Sequence, residues 1–139
     1  MKHTMMFAAI AVVTLTVHAN PTQVTNGVMA SKEGKTLYTF DKDAAGKSNC
    51  NGGCAAAWPP FMVANPALAG GDFSIVKRDD GASQWAFTGK PLYFFAGDSK
   101  PGEIKGDNQG GVWHALRSAP KKVARNDSSD YSASYSYSY

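Results

Sequence analysis

The side chains able to do chemistry are few. The chain has two cysteines, Cys50 and Cys54, and three histidines, His3, His18 and His114. The cysteines are separated by Asn51-Gly52-Gly53, and the two glycines give the backbone freedom to bring the sulfurs together. In an oxidising compartment this favours a disulfide, whose small ring contributes on the order of 2 kcal/mol by the chain-entropy estimate. A reversible redox pair is the sharper alternative, but C-x-x-x-C is not the thioredoxin spacing and no αβ pattern surrounds it. A metal site would combine Cys50, Cys54 and His114, with a fourth ligand for zinc or with Met62 for copper. Asp41-Lys42-Asp43-Ala44-Ala45-Gly46 opens like a calcium loop, with carboxylates first and third and glycine sixth. It then places Ala45 fifth and Gly52 twelfth, where a bidentate glutamate belongs, so an Asp-rich turn capped by its own side chains competes with it. Calcium keeps some support because Asp43 has a counterpart in Asp98, whose loop adds Glu103 and Asp107. Hydrolytic chemistry has the least support: there is no Gly-x-Ser-x-Gly, and the acids sit in turns. The expectation is a chain without catalysis and without a cofactor, with copper, zinc and calcium as the weaker alternatives.

The elements that must position these residues come from a duplication. Gly34-Lys35-Thr36-Leu37-Tyr38-Thr39-Phe40-Asp41-Lys42-Asp43 returns as Gly89-Lys90-Pro91-Leu92-Tyr93-Phe94-Phe95-Ala96-Gly97-Asp98, the pattern G-K-x-L-Y-x-F-x-x-D. One offset of 55 (89 − 34) relates Leu37 to Leu92, Tyr38 to Tyr93, Phe40 to Phe95, Asp43 to Asp98 and also Trp58 to Trp113, with no insertion. This is an internal repeat, with copies at about 24–61 and 73–116. Strand signals dominate: Thr36 to Phe40, Phe73 to Arg78 and Gln84 to Thr88 are short and rich in β-branched and aromatic residues. Alternation turns Phe73 and Ile75 inward and Ser74, Lys77 or Arg78 outward, and sets Trp85 and Phe87 on one face. Asp79-Asp80-Gly81-Ala82 and Thr88-Gly89 read as turns, giving a hairpin that continues into Leu92 to Phe95. The first-half counterpart is Gln23 to Ala30, turning at Glu33-Gly34 into Thr36 to Phe40. Helix signals are confined to Cys54 to Trp58, which Pro59-Pro60 must end. The predicted fold is mainly β with a small α contribution: two fused repeats of antiparallel hairpin or meander units around an aromatic core.

Met1 to Ala19 reads as a secretory signal peptide: Lys2, an apolar run from Met5 to Val17, then Val17-His18-Ala19 before the cut. That run is short for a bilayer span, which takes roughly 20 residues. Its removal lowers the formal charge from +3 to +2 (3 − 1) and leaves His114 as the one histidine. The remaining charges are mixed, so nucleic acid has no electrostatic footing as a partner, and no transmembrane segment is left. Asn20 to Ser118 forms one small domain. Ala119 to Tyr139 begins with Lys121, Lys122 and Arg125 and ends in alternating Ser and Tyr. Its composition predicts a disordered tail, and its alternation offers a second reading, a strand added to a sheet edge.

The repeats, with Ser48-Asn49-Cys50-Asn51-Gly52-Gly53-Cys54, Trp58-Pro59-Pro60-Phe61, Arg78-Asp79-Asp80-Gly81, Gln84-Trp85 and Gly111-Val112-Trp113-His114, resemble the bacterial secreted-repeat family of predicted lipoproteins with a Y-x-(F/W/Y)-x-x-D motif. The resemblance spans Gly34 to Leu116 and implies an exported protein built from this repeat, of undetermined biochemical function. The chain departs from many members in lacking a lipid-attachment cysteine near the cut. The aromatics Trp58, Trp85 and Trp113, with the two Tyr-x-Phe strands, have two uses: a buried core, or a groove with Pro59, Pro60 and Pro91 for a small molecule, glycan or extended peptide. The sequence thus points to an exported, periplasmic or extracellular, non-catalytic module binding a small molecule, glycan or envelope protein. The competing reading is a redox, electron-transfer or metal-binding accessory protein using Cys50, Cys54 and His114.

Overall fold

A computed structural model describes residues 19–118. The expected leader except Ala19, and the tail from Ala119, lie outside the described residues. The chain forms β1 (Thr22–Thr25), β2 (Val28–Ser31), β3 (Tyr38–Phe40), α1 (Gly53–Ala57), β4 (Phe73–Lys77), β5 (Ser83–Phe87), β6 (Lys90–Pro91) and β7 (Trp113–Ala115). All strand pairings are antiparallel: β1 with β2, β3 with β7, and β4 with β5 with β6. The mainly β architecture of two repeats is as the sequence predicts, and α1 stops before Pro59-Pro60.

Three local expectations fail for physical reasons. Gln23 to Ala30 is a hairpin rather than one strand, because Asn26 and Gly27 both take positive φ (51° and 76°). A two-residue turn of that hand matches strand twist, and Asn-Gly is its preferred sequence. The second-half meander stops at Leu92, whose N–H is the last to reach β5: Tyr93 leaves the β4–β5 sheet and pairs with Tyr38 and Pro60 instead. Arg78, expected outward, is 7% exposed. Its guanidinium donates to Ser48 Oγ (3.0 Å), Gln84 Oε1 (2.7 Å), the Cys50 carbonyl (2.7 Å) and Asn51 Oδ1 (3.3 Å), which is what makes burying a cation tolerable.

The two repeats close on each other. Tyr38 N donates to Tyr93 O (2.8 Å) and Tyr93 N donates to Tyr38 O (3.0 Å), so a pseudo-twofold axis runs between the tyrosines. Around it the last segment of each repeat enters the other repeat's half. Phe61 N donates to Leu92 O (2.9 Å), Leu92 N to Trp85 O (2.9 Å) and Trp85 N to Phe61 O (2.8 Å), a closed ring of three backbone bonds. Leu116, Leu37 and Met29 form the equivalent ring: Leu116 N to Leu37 O (2.9 Å), Leu37 N to Met29 O (3.0 Å), Met29 N to Leu116 O (2.7 Å). The loops follow the same rule, with Gly46 N on Gly89 O (2.8 Å) and Gly102 N on Gly34 O (3.1 Å). Leu37, Leu92 and both tyrosines are fully buried as a result.

The offset of 55 relates the motif residues from Gly34 to Asp43 and Trp58 to Trp113, but it is 56 (85 − 29) between Met29 and Trp85, because the turn at Lys32-Glu33-Gly34 is one residue longer than Thr88-Gly89. It is 56 again (102 − 46) between the loop glycines Gly46 and Gly102. In the tighter turn, Thr88 is held at φ 48°. A β-branched residue is a poor occupant of that region, whereas asparagine tolerates it. Thr88→Asn is therefore expected to stabilise the fold by about 1 kcal/mol, read as a raised urea midpoint with unchanged m-value.

Candidate functional site

The motif residues meet at the axis. Tyr38 Oη donates to Asp98 Oδ2 (2.6 Å) and Tyr93 Oη donates to Asp43 Oδ2 (2.7 Å), so each repeat's tyrosine is satisfied by the other repeat's aspartate. Each hydroxyl also accepts a bond: Tyr38 from the Gly106 N–H (3.2 Å), and Tyr93 from the Ser48 hydroxyl (2.7 Å). Each carboxylate spends its second oxygen on its own loop, Asp43 Oδ1 accepting from Asn49 N (2.7 Å) and Asp98 Oδ1 from Lys105 N (2.9 Å). Burial pushes both phenol pKa values upward, and the accepting carboxylates add to it. Burial also raises Asp43, against the bonds from Asn49 and Tyr93 and the nearby Arg78 charge.

Beside the tyrosines, four rings form one column. Phe95 stacks on Trp58 (4.4 Å between centroids), Trp58 on Trp113 (3.9 Å, planes 4° apart) and Trp113 on Phe40 (4.1 Å). Members of the two repeats alternate along it. Tyr38 meets Trp58 edge-on at 5.4 Å, and Tyr93 meets Trp113 at 5.2 Å, the geometry favoured by ring quadrupoles. Trp58 and Trp113 are buried, and Trp85 lies in a second cluster with Met29, Leu37, Phe73 and Leu92. Gly106 is required at the column: a Cβ there would sit 2.8 Å from the Trp58 ring.

Cys50 and Cys54 are bonded to each other, and Arg78 ties the Cys50 carbonyl to Ser48 and Gln84. His114 lies on β7 and its Nε2 contacts Asp41 Oδ2 at 2.7 Å. The structure thus does not bring His114 to the sulfurs. Asp41 and Asp43 are likewise engaged, with His114 and Tyr93, and among the described residues no three His, Cys, Asp or Glu side chains gather around a common point. Ser48, Gln84, Arg78 and Gly106 are the partners that the sequence reading missed. Ser48, Arg78 and Gln84 stand in the stretches that carry the family resemblance, without these roles, and Gly106 stands in none of them.

The exchange of segments leaves two related clefts. One, of about 250 Å³, is lined by Phe40, Asp41, Asp43, Lys90, Pro91 and the Thr88-Gly89 turn. The other, of about 150 Å³, is lined by Lys35, Thr36, Pro59, Phe94, Phe95 and Asp98, with Lys35 Nζ 5.8 Å above the Phe94 ring. Each combines the Phe-x-x-Asp end of one motif with the lysine and the residue after it from the start of the other, Lys90-Pro91 in the larger and Lys35-Thr36 in the smaller.

A family model described as a secreted repeat of unknown function matches residues 22–62 and again residues 74–117, the two halves that the axis relates. The chain belongs to that family. No curated protein and no solved structure matches it. In this secreted-repeat protein, among the described residues, no helix is long and apolar enough to cross a membrane.

Because each tyrosine hydroxyl donates to a carboxylate of the other repeat, Tyr38→Phe and Tyr93→Phe are each expected to cost about 2 kcal/mol, the scale of a buried bond to a charged group. Equilibrium denaturation checks this, and the two losses should agree within about 0.5 kcal/mol. Glu103 organises the Asp98 loop by accepting from Ser99 N (2.6 Å) and pairing with Lys105 (3.1 Å). The Lys105 contact first, then the Ser99 N–H, lowers its pKa to about 2 from an ordinary 4.5. A lowered folded-state value means that its contribution is present above 4.5 and lost as pH falls through about 2. Glu103→Gln should therefore flatten the stability-versus-pH curve in that window.

Proposed function

We propose that this chain is an exported, non-catalytic binding module that works in the periplasm or outside the cell, and that its two related clefts are the binding sites. The observation that carries this reading is the duplication of the cleft itself: both copies keep an aromatic and proline wall with a lysine and a carboxylate at the rim. Lys35 and Lys90 are exposed and make no ion pair among the described residues, so their charges are available to a ligand. Thr88, held at φ 48°, forms the lip of the larger cleft, and backbone strain of that kind concentrates at ligand sites. Drug-sized ligands occupy roughly 300–1,000 Å³, and both clefts are smaller. Each suits one group of an extended envelope polymer, such as a sugar ring or a side chain of an envelope protein. The redox or metal-binding reading gains no support from the geometry, since the sulfurs are joined and His114 is turned to Asp41.

The test is co-sedimentation with the isolated envelope of the producing cells. The unmodified protein is expected to pellet, and the double variant Lys35→Glu with Lys90→Glu to lose at least about tenfold in apparent affinity, or about 1.4 kcal/mol, while keeping its near-ultraviolet circular dichroism. A wild-type protein that stays in the supernatant, or a double variant that pellets equally well, refutes the reading.

A further inference from the structure

The pseudo-twofold axis makes each cleft a control for the other. At the offset of 55, Lys35, Phe95 and Asp98 of the smaller cleft correspond to Lys90, Phe40 and Asp43 of the larger. Three further positions are apolar on one side of the axis and polar on the other. Phe94 of the smaller cleft corresponds to Thr39 of the larger, and Ala96 to Asp41. Pro59, whose carbonyl accepts from Phe94 N (2.7 Å), corresponds to His114, which pairs with Thr39 across β3 and β7. The one exchange in the opposite sense, Thr36 for Pro91, frees no group, since Thr36 Oγ1 donates to Glu103 O (2.8 Å).

The polar replacements hold unused hydrogen-bonding capacity. Thr39 lines the larger cleft and is 8% exposed, and its hydroxyl has no hydrogen-bond partner among the described residues. A hydroxyl so placed is poorly solvated, so a ligand group that bonds to it relieves a cost already present in the empty cleft. His114 Nε2 holds Asp41 Oδ2 at 2.7 Å. Oδ1 has no partner among the described residues, which leaves an acceptor in a fixed place. Lys90 adds an exposed donor at the same rim. Phe40, with one face on Trp113 (4.1 Å), contributes a flat aromatic wall. A hydroxyl, an acceptor, a donor and an aromatic ring around about 250 Å³ complement a ring with apolar faces and hydroxyls along its edge. An amino-acid side chain has one polar end and would leave the other groups unmet. The opposite charges of Asp41 and Lys90 select a neutral ligand, because Asp43 already spends both oxygens on Asn49 and Tyr93.

We propose that the larger cleft takes one neutral hexopyranose ring of an envelope polysaccharide, with Thr39, Asp41 and Lys90 reading its hydroxyls and Phe40 against its face. His114 is the positioning residue that fixes Asp41. The smaller cleft, walled by Pro59, Phe94 and Ala96, lacks these groups and does not take the ring. The inference rests on the binding reading above and assigns a ligand class to one of its two sites.

Amide chemical shifts of the exported chain, titrated with the methyl glycosides of glucose, galactose and mannose, test it. At least one of the three is expected to move Thr39, Asp41 and Lys90 saturably, with Lys35, Phe94 and Ala96 unmoved. Cyclohexanol, a ring of the same size with a single hydroxyl, should bind at least about tenfold more weakly, or about 1.4 kcal/mol. Asp41→Ala should weaken the glycoside by a similar factor while the near-ultraviolet circular dichroism stays unchanged. His114→Ala should do the same, and His114→Gln, which still offers a donor to Asp41, should recover most of the loss. Cyclohexanol binding as tightly as the glycosides, shifts centred on Lys35 and Phe94, or an Asp41→Ala variant that binds normally each overturns the proposal. A chain that pellets with the envelope but shows no saturable shift with any of the three overturns it too, and leaves the broader binding reading standing. A chain that does not pellet removes both.

Discussion

The structure depends on two phenolic hydroxyls that have been taken out of water and must each find a carboxylate. Tyr38 and Tyr93 have no exposed surface, and a buried hydroxyl without a partner costs free energy on the order of 1–3 kcal/mol. Their own repeats do not supply the acceptors. Asp98 serves Tyr38 and Asp43 serves Tyr93, so neither copy of the motif is satisfied alone. The backbone repeats the lesson, since each three-membered ring of hydrogen bonds takes two segments from one repeat and one from the other. A single copy would leave open strand edges and an unpartnered tyrosine, which explains why the unit occurs here as a fused pair.

The same arrangement accounts for the aromatic content. A chain of this size has little volume for an aliphatic core, and the stacked column of Phe95, Trp58, Trp113 and Phe40 fills the space beside the axis with large flat groups. Rings from opposite repeats alternate, so the column also ties the halves together. The loops that carry Asp43 and Asp98 are not equivalent in detail. The first is fastened by the Cys50–Cys54 bond and by buried Arg78; the second is fastened by Glu103 and approaches the column through Gly106. The symmetry is kept where the tyrosines need it and relaxed elsewhere, and the two clefts differ in volume accordingly.

Chemistry-bearing residues that looked like ligands in isolation turn out to be employed within the fold. Asp43 and Asp98, the pair that suggested calcium, hold the tyrosines, and Asp41 holds His114. Among the groups facing solvent around the clefts are Lys35, Lys90 and Asp41, with the partly exposed Phe40, Phe94 and Phe95. The binding reading therefore rests on surface features that the duplication preserved, while Asp43, Asp98 and the cysteines serve the architecture.

The residues by themselves determined the repeat, the register of its G-K-x-L-Y-x-F-x-x-D motif, the antiparallel β character and the short helix before Pro59-Pro60, because each follows from local pattern, spacing or turn chemistry; for the cysteines they favoured a disulfide over a redox pair or a metal site. The Asn26-Gly27 hairpin was equally legible, being the strongest short-range turn signal in the chain. What only the tertiary structure decided is which copy serves which: the crossing of tyrosine and aspartate, the exchange of closing segments, and the burial of Arg78 and Gln84. The tyrosines and their aspartates are separated by tens of residues, and a repeated sequence is compatible with both self-contained and exchanged pairings. The choice is made by the three-dimensional closure of strand edges, which no local pattern encodes.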